Sequence, residues 1–437
     1  MLAGPPPPLH GIRVIEVGNY MAGPFCGLQL ADLGADVVKV ENPAGGDLTR
    51  SLAPFDHGES GSFVRLNRGK RGVALDLKDA EGARIFRALA RTADVIVENL
   101  RPGTMRDLGL DPADLRAADP RLIYVAVSGW GQDGPYADRP ALDIIVQGLS
   151  GLMSVTGEAG GPPVKVGVSV ADLTAGLYAT IATLAALRAR DRDGAGQLVD
   201  LSMFESAVSL AQWEAGQFFT SGEVPRRAGS AHRVLAPYQA IRASDGHFVV
   251  GATTPRNWTG FCRALDLGAL ERDPRFAEGN DRRRNVDLLI PLIEAVTGVR
   301  PMDHSLAALR AEGVPCGEIA DYDRVFTDPH LEARGFFVEL PHPVLGTVRG
   351  IGTPLRLTGT PARLGRAGPL LGEHTVEVLV ELGLARAEID ALAARGTVSL
   401  GERRAEGARA SHGSAGASEV EAEGREPLGE RRAEGAP

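Results

Sequence analysis

Short apolar runs alternate with helix-length amphipathic stretches through the first two hundred residues. The run at 12–17, IRVIEV, ends in a turn holding Gly18 and Gly23, a helical pattern follows, and 35–40 is apolar again before Glu41. Strand, loop, helix and strand closing on an acidic residue is the layout of a dinucleotide-binding unit. The glycines stand at 18, 23 and 27 and make no G-x-G-x-x-G, so the scaffold is expected without a pyrophosphate cradle. Runs at 72–75, 95–97 and 122–127 read as further strands. Between the first two, 78–92 carries Ala80, Ala83, Ile85, Phe86, Leu89 and Ala90 on one side of a helix. This alternation predicts an α/β fold, Rossmann-like, with a parallel sheet covered by helices.

A smaller α+β unit is expected after GEVPRRAGSAHR. There 238–243 and 247–252 flank an Asp245-Gly246 turn, a hairpin signal, and helical patterns follow at 258–265, 288–296 and 306–312. Beyond about 329 the pattern returns to strands (FFVEL, TVRGI, LRLTG) and then to helices at 373–382 and 386–395. The expected division is a large domain over 1–222, a small one over 223–325, a linker and return to the large domain over 326–398, and a tail over 399–437. The tail repeats LGERRAEGA and has almost nothing to bury, so it reads as disordered.

The 437 residues suffice for two or three cores, and 24% charged with 43% hydrophobic residues is ordinary for a globular protein. A formal net charge of −9 offers no basic field for nucleic acid. The three cysteines, Cys26, Cys262 and Cys316, lie far apart in the chain, which fits a reducing cytoplasm rather than a disulfide framework. The start, MLAGPPPPLHG, has no signal-peptide pattern. The helix at 173–187 is broken by threonines and too short to span a bilayer, so no membrane partner is expected. The nine histidines show no metal-binding spacing, so no metal is expected, and no G-x-S-x-G supports a serine nucleophile.

Three stretches carry candidate chemistry. The turn at Gly18 and Gly23 leads to a helix start near Pro24 whose free N–H groups suit an anion, or it is only a tight turn. At 93–111 a strand ends at Glu98-Asn99, and Arg101 and Arg106 flank the Pro102-Gly103 turn. Ligands of open parallel sheets bind at the carboxyl ends of strands, so these arginines suit phosphates; otherwise they are a solvated turn. At 164–170 an extended stretch runs into a helix with Asp172 at its start. The helix dipole favours the anion there, and a carboxylate can attack an activated carbonyl. The competing reading is simple capping.

Taken together the chain resembles the class III CoA-transferases, the family of carnitine-CoA transferases, formyl-CoA transferases and α-methylacyl-CoA racemases. The matching pieces include AGPFCGLQLADLGADVVKVE, GDLTR, NRGKRGVALDLK, ADVIVENLRPG, SGWGQDGPYADRPALD, GLMSVTG, DLTAGLYA, GQLVDLSMFE, APYQAI, ASDGHFVV, GVPCGEI, DPHLEARGFF and LGEHTVEVL. They keep family order from about residue 9 to 396. The resemblance implies an interlocked homodimer that uses acyl-CoA and a small carboxylic acid as substrates, with no tightly bound cofactor. Carried over by motif, the CoA contacts are Ala22, Leu75, Lys78, Asn99, Leu100, Arg101 and Arg106, and Asp172 falls on the family's catalytic aspartate.

The resemblance further implies covalent catalysis: Asp172 attacks the thioester to give a mixed anhydride and CoA thiolate. After carboxylate exchange the thiolate attacks the acceptor-derived anhydride, with backbone N–H groups stabilising the oxyanions. Met21 stands where formyl-CoA transferases have Gln, and RRAGSAHR stands where they carry a glycine run. Arg227, His232 and Arg233 there are candidates for holding an acceptor carboxylate; otherwise the stretch is an ordinary basic linker. A racemase needs an acid and a base on opposite faces of the α-carbon, and Leu142 occupies the position of that histidine. A non-catalytic CoA-binding protein and an NAD-dependent dehydrogenase are the remaining rivals. The missing glycine pattern disfavours the second.

Overall fold

The computed structural model describes residues 5–401. Six parallel strands form the main sheet: β1 (Arg13–Val17), β2 (Asp36–Glu41), β3 (Arg71–Leu75), β4 (Val95–Glu98), β5 (Ile123–Ser128) and β6 (Leu198–Ser202). A short strand, β7 (Val398–Ser399), pairs antiparallel with β3, Val398 opposite Leu75. The spatial order is β7-β3-β2-β1-β4-β5-β6. Without β7 this is the 3-2-1-4-5-6 order of doubly wound folds, whose strand order reverses between β1 and β4.

Helices cover both faces, so the inner strands read as near-continuous apolar runs rather than alternating ones. Under one face Ile15, Val38, Ile96 and Tyr124 pack with Phe86 and Leu89 and with Val378, Leu379, Ile389 and Leu392 from the far end of the chain. Under the other, Val14, Val37, Val97 and Val125 pack with Cys26 and Leu30 of α1 (Ala22–Asp32). The helix expected over 78–92 is α2 (Ala80–Ala90), buried through the residues the pattern marks. Asp79 caps it by accepting from the Glu81 and Gly82 N–H groups. Each fully buried Ile, Leu or Phe contributes about 1.5–3 kcal/mol of transfer free energy.

The helix expected over 173–187 is longer: α3 (Val170–Asp193) runs 24 residues. By length and composition alone it is long and apolar enough to cross a membrane. Here Ala171, Ala175, Gly176, Ala179, Thr180 and Thr183 are buried against the body of the protein, and Arg188, Arg190 and Arg192 fill its last turns.

A three-stranded antiparallel sheet, in the order Cys316–Glu318, Gly246–Gly251, Tyr238–Ala243, carries the second unit. The hairpin falls where expected, with Ala243 paired to Gly246. Helices Pro255–Ala264, Val286–Thr297 and Met302–Ala311 supply a separate core of Phe261, Leu289, Ile293 and Leu306 under Ile241 and Phe248. The hairpin Phe337–His342 with Gly346–Ile351 then packs Leu340 and Val348 on Phe63 and Val64.

Three expectations change. The pattern gives no strand at 198–202, yet β6 is there; as the edge strand it is half exposed and lacks an apolar run. LRLTG forms no strand, because Pro354 and Pro361 bracket an irregular stretch. Ser399 belongs to β7 rather than to a tail, and the rest of the tail, 402–437, lies outside the described residues.

Candidate active site

The opening loop solves its glycine puzzle internally. The Asn99 amide, at the end of β4, accepts from the Asn19 N–H at 2.9 Å and donates to the Asn19 carbonyl at 2.9 Å. A Cβ at Gly18 would stand 2.7 Å from Asn99 Oδ1, and one at Gly23 2.9 Å. These glycines make room for an asparagine that staples the β1 loop to β4, at the point where the strand order reverses. Asn99 is a predicted contact, and its amide is committed to this staple. Ala22, another, lies buried in the first turn of α1.

Beneath the loop is a charge cluster that the apolar reading of the strands passes over. Glu16 and Lys39 are register partners on β1 and β2, and with Lys70 they are wholly buried. Lys39 Nζ donates to Glu16 Oε1 at 2.8 Å and to the Gly18 carbonyl at 2.9 Å, and pairs with Asp47 Oδ2 at 2.9 Å. Lys70 Nζ lies 2.7 Å from Glu16 Oε2 and donates to the Pro24 carbonyl and Asn67 Oδ1, each at 2.8 Å. Each ammonium thus has two hydrogen-bond acceptors and one further carboxylate oxygen paired with it by charge. Burial pushes Lys70 down to about 8, against the pull of Glu16. Burial opposes ionisation of Glu16 as well, but the two lysines outweigh it and hold the carboxyl below its ordinary range. Two ions therefore grip the carbonyls at either end of the loop, Gly18 and Pro24.

A cleft opens above this cluster at the carboxyl ends of four adjacent strands. Val17 ends β1 and Gly18 and Asn19 follow it, Glu41 ends β2 and Asn42 follows it, Leu75 ends β3 and Asp76 through Lys78 follow it, and Leu100 lies just after β4. Of the predicted contacts, Leu75, Lys78 and Leu100 line it. Lys78, Arg101 and Arg106 are exposed; among the described residues only Arg106 has a carboxylate in range, Asp107 at 3.9 Å. Two buried carboxylates at these strand ends are already engaged: Glu41 with Arg50 at 2.7 Å, and Glu98 by the Leu100 N–H at 2.7 Å. Burial pushes Glu98 up to about 8; the sequence marks it only as the charged end of an apolar run, with no role of its own.

Asp172 is the third residue of α3, in its first turn. It does not cap. The capping contact comes from outside the helix, where Asp143 Oδ1 accepts from the Ala171 N–H at 3.0 Å and Asp143 Oδ2 from Gln147 Nε2 at 2.7 Å. Among the described residues the Asp172 carboxyl has no hydrogen-bond or ion-pair partner. The expectation that the helix dipole holds it firmly ionised is corrected: burial, with repulsion from Asp143, pushes it up to about 7. Gly176 lies one turn further on the same face. A Cβ there would stand 2.8 Å from the Ala22 carbonyl and 3.0 Å from the Phe25 ring. The close α1–α3 crossing at Gly176 thus sets the start of α3 against the start of α1. Leu142, beside Asp143, is exposed and carries no proton. No group of three or more His, Cys, Asp and Glu side chains able to hold a metal occurs among the described residues.

The chain matches the model of CoA-transferase family III over residues 9–375. It is 39% identical over 383 residues to a succinate–glutarate CoA-transferase of Agrobacterium fabrum, covering 86% of this chain and 96% of that one. It is 36% identical to a succinyl-CoA:mesaconate CoA-transferase of Haloarcula hispanica, covering 86% and 96%. A crystal structure of a CAIB/BAIF family protein from Brucella suis superposes with a TM-score of 0.79 at 38% identity, covering 86% of this chain and all of that one.

Proposed function

The chain belongs to CoA-transferase family III and is an enzyme that transfers CoA; on that premise we propose that it exchanges CoA between small dicarboxylic acids, with Asp172 as the covalent carrier. The observation that carries this reading is a carboxyl in the first turn of α3 that, among the described residues, caps nothing and pairs with nothing, pushed up to about 7 by burial. A partly dehydrated carboxylate is a better nucleophile than a solvated one, and a carboxyl pushed up this far titrates near neutral pH.

Asp172 attacks the thioester carbonyl of the donor; the C–S bond breaks and CoA leaves as thiolate. The thiolate then attacks the aspartyl carbonyl of the mixed anhydride, releasing the donor acid as carboxylate and leaving an aspartyl thioester. The acceptor carboxylate repeats these steps in reverse, and Asp172 is regenerated. No proton or electron is consumed, and the energy of the thioester is conserved without a nucleotide. The cations Lys78, Arg101 and Arg106 at the strand ends suit the phosphates of CoA, and the apolar walls at Leu75 and Leu100 suit its base. The loop tied down by Lys39 and Lys70 lines that cleft at Gly18 and Asn19 and leads into the start of α1, which Gly176 of α3 approaches closely. We read the assembly as a homodimer, because Trp213 and Phe219 of the helix Gln212–Ser221 are 73% and 82% exposed, alongside Leu177 and Ile181 of α3. A cytoplasmic setting suits its free cysteines.

The test is transfer itself. Succinyl-CoA incubated with glutarate or mesaconate should yield the new thioester by mass spectrometry, in double-displacement kinetics. Hydrolysis without transfer would sink the reading. A racemase on this scaffold would exchange the α-proton of a chiral 2-methylacyl-CoA in deuterated water; with Leu142 in place of an acid–base group, none is expected.

A further inference from the structure

Both acids of such an exchange leave a second carboxylate unreacted, and because they visit the same nucleophile in turn, both must place it within reach of one cationic group. A cation able to receive it must be unpaired and connected to the segment that leads into Asp172. The basic segment 226–233 offers four candidates, and the structure sorts them. Arg233 pairs with Glu214 at 3.4 Å and donates to the Arg226 carbonyl at 2.5 Å. His232 Nδ1 accepts from the Val234 and Leu235 N–H groups, and its ring lies edge-on to Tyr238 at 5.2 Å. Arg226 is exposed. Arg227 is half-buried, and its Nε is shielded from water with no hydrogen-bond partner. Among the described residues it has no carboxylate within ion-pair range.

Its stem passes Gly157, where a Cβ would stand 3.2 Å from Arg227 Cδ and 3.1 Å from Val164 Cγ2. The Gly229 N–H donates to the Gly157 carbonyl at 3.0 Å and fastens the two loops together. From Val164 the chain runs to Val166, whose N–H donates to Gln147 Oε1 at 2.9 Å. Gln147 in turn holds Asp143, and Asp143 holds the Ala171 N–H. An unbroken set of contacts thus joins Arg227 to the first turn that carries Asp172. The Glu158 carboxylate, 2.8 Å from where a Gly229 Cβ would stand, is the nearest acid on these loops and leaves Arg227 unpaired.

We propose that Arg227 receives the distal carboxylate of both donor and acceptor, and so selects dicarboxylic over monocarboxylic acids; this rests on the transferase reading above. A planar guanidinium binds a carboxylate through two parallel N–H bonds, which reads the direction of the acid as well as its charge.

The test compares glutarate with pentanoate, an acid of equal length lacking the second charge, as acceptors from succinyl-CoA and from butyryl-CoA. In the native enzyme kcat/KM should favour glutarate by on the order of a hundredfold, the size of one lost charged contact in a shielded site. Arg227→Gln should erase that preference by lowering the glutarate value while leaving butyryl-CoA to pentanoate transfer within about threefold. Arg227→Lys should keep part of the preference. The pentanoate rate shows that each variant is folded. An undiminished preference in Arg227→Gln, or equal loss with both acids, would overturn the proposal and leave the transferase reading standing. A native enzyme that moves CoA to neither acid would overturn both.

Discussion

Glu16→Gln should destabilise the protein at neutral pH, by an amount the geometry bounds. Glu16 is the carboxylate shared by two fully buried ammonium groups. When it is neutralised, Lys39 retains Asp47 at 2.9 Å. Lys70 retains only the neutral acceptors Pro24 O and Asn67 Oδ1, so it is the stranded charge. Breaking a buried pair from one side costs about 3–5 kcal/mol. The protein can escape part of this by shedding the Lys70 proton. Removing a proton at pH 7 from a group of unfolded pKa near 10.4 costs about 4.6 kcal/mol, so the loss tops out near 5 kcal/mol. The pH dependence follows. The variant's native state then binds one proton fewer than its unfolded state, so its stability should rise by about 1.4 kcal/mol per pH unit from 7 towards 10. The native enzyme, with Lys70 lowered only to about 8, should gain from this group only above that pH. Urea titrations at pH 7, 8 and 9 measure both. A variant within 1 kcal/mol of native at pH 7, roughly the worth of an exposed pair, or one whose deficit fails to shrink by pH 8, would refute the reasoning. Since the cluster grips the Gly18 and Pro24 carbonyls, KM for acyl-CoA should rise more than kcat falls.

Further outcomes follow from the same geometry. With Asp172 pushed up to about 7, kcat/KM should fall about tenfold per pH unit below that value, since only the anion attacks. Asp143→Asn removes the like charge and should move this limb to lower pH; a pH–rate profile identical to native would count against the pairing. Lys78→Gln and Arg101→Gln should each raise KM for acyl-CoA by about ten- to a hundredfold, the worth of one charged hydrogen bond, with little change in kcat. A loss confined to kcat would remove them from the phosphate site. Light scattering should give the mass of two chains, and a monomer at micromolar concentration would leave the exposed Trp213 and Phe219 unexplained.

Much of this was legible in the residues, and what was not has physical causes. The β1-α1-β2 unit and α2 announce themselves because buried parallel strands and an amphipathic helix leave strong periodic patterns. β6 hides because an edge strand needs no apolar run. The strand order cannot be read from runs of four to six residues, since it depends on pairings distant in sequence. The Gly18 and Gly23 turn reads equally as an anion site or a tight turn; only the fold reveals Asn99 as its occupant. Glu16 and Lys39 were visible as charges interrupting apolar strands, a pattern that points to a buried pair once the strands are known to be neighbours. Asp172 was placed correctly at a helix start. Its charge state was not, because the dipole was visible in sequence while burial and Asp143, twenty-nine residues away, were not.

The central claim is that Asp172 forms the covalent bond to the acyl group. The most direct measurement is peptide mass spectrometry of the enzyme trapped with hydroxylamine during turnover of succinyl-CoA, native beside Asp172→Asn. The account predicts a hydroxamate on the peptide carrying Asp172 in the native enzyme and none in the variant. It also predicts that the variant's turnover drops on the order of a thousandfold or more at unchanged stability. A label on any other residue, or a variant that transfers CoA at near the native rate, would contradict it.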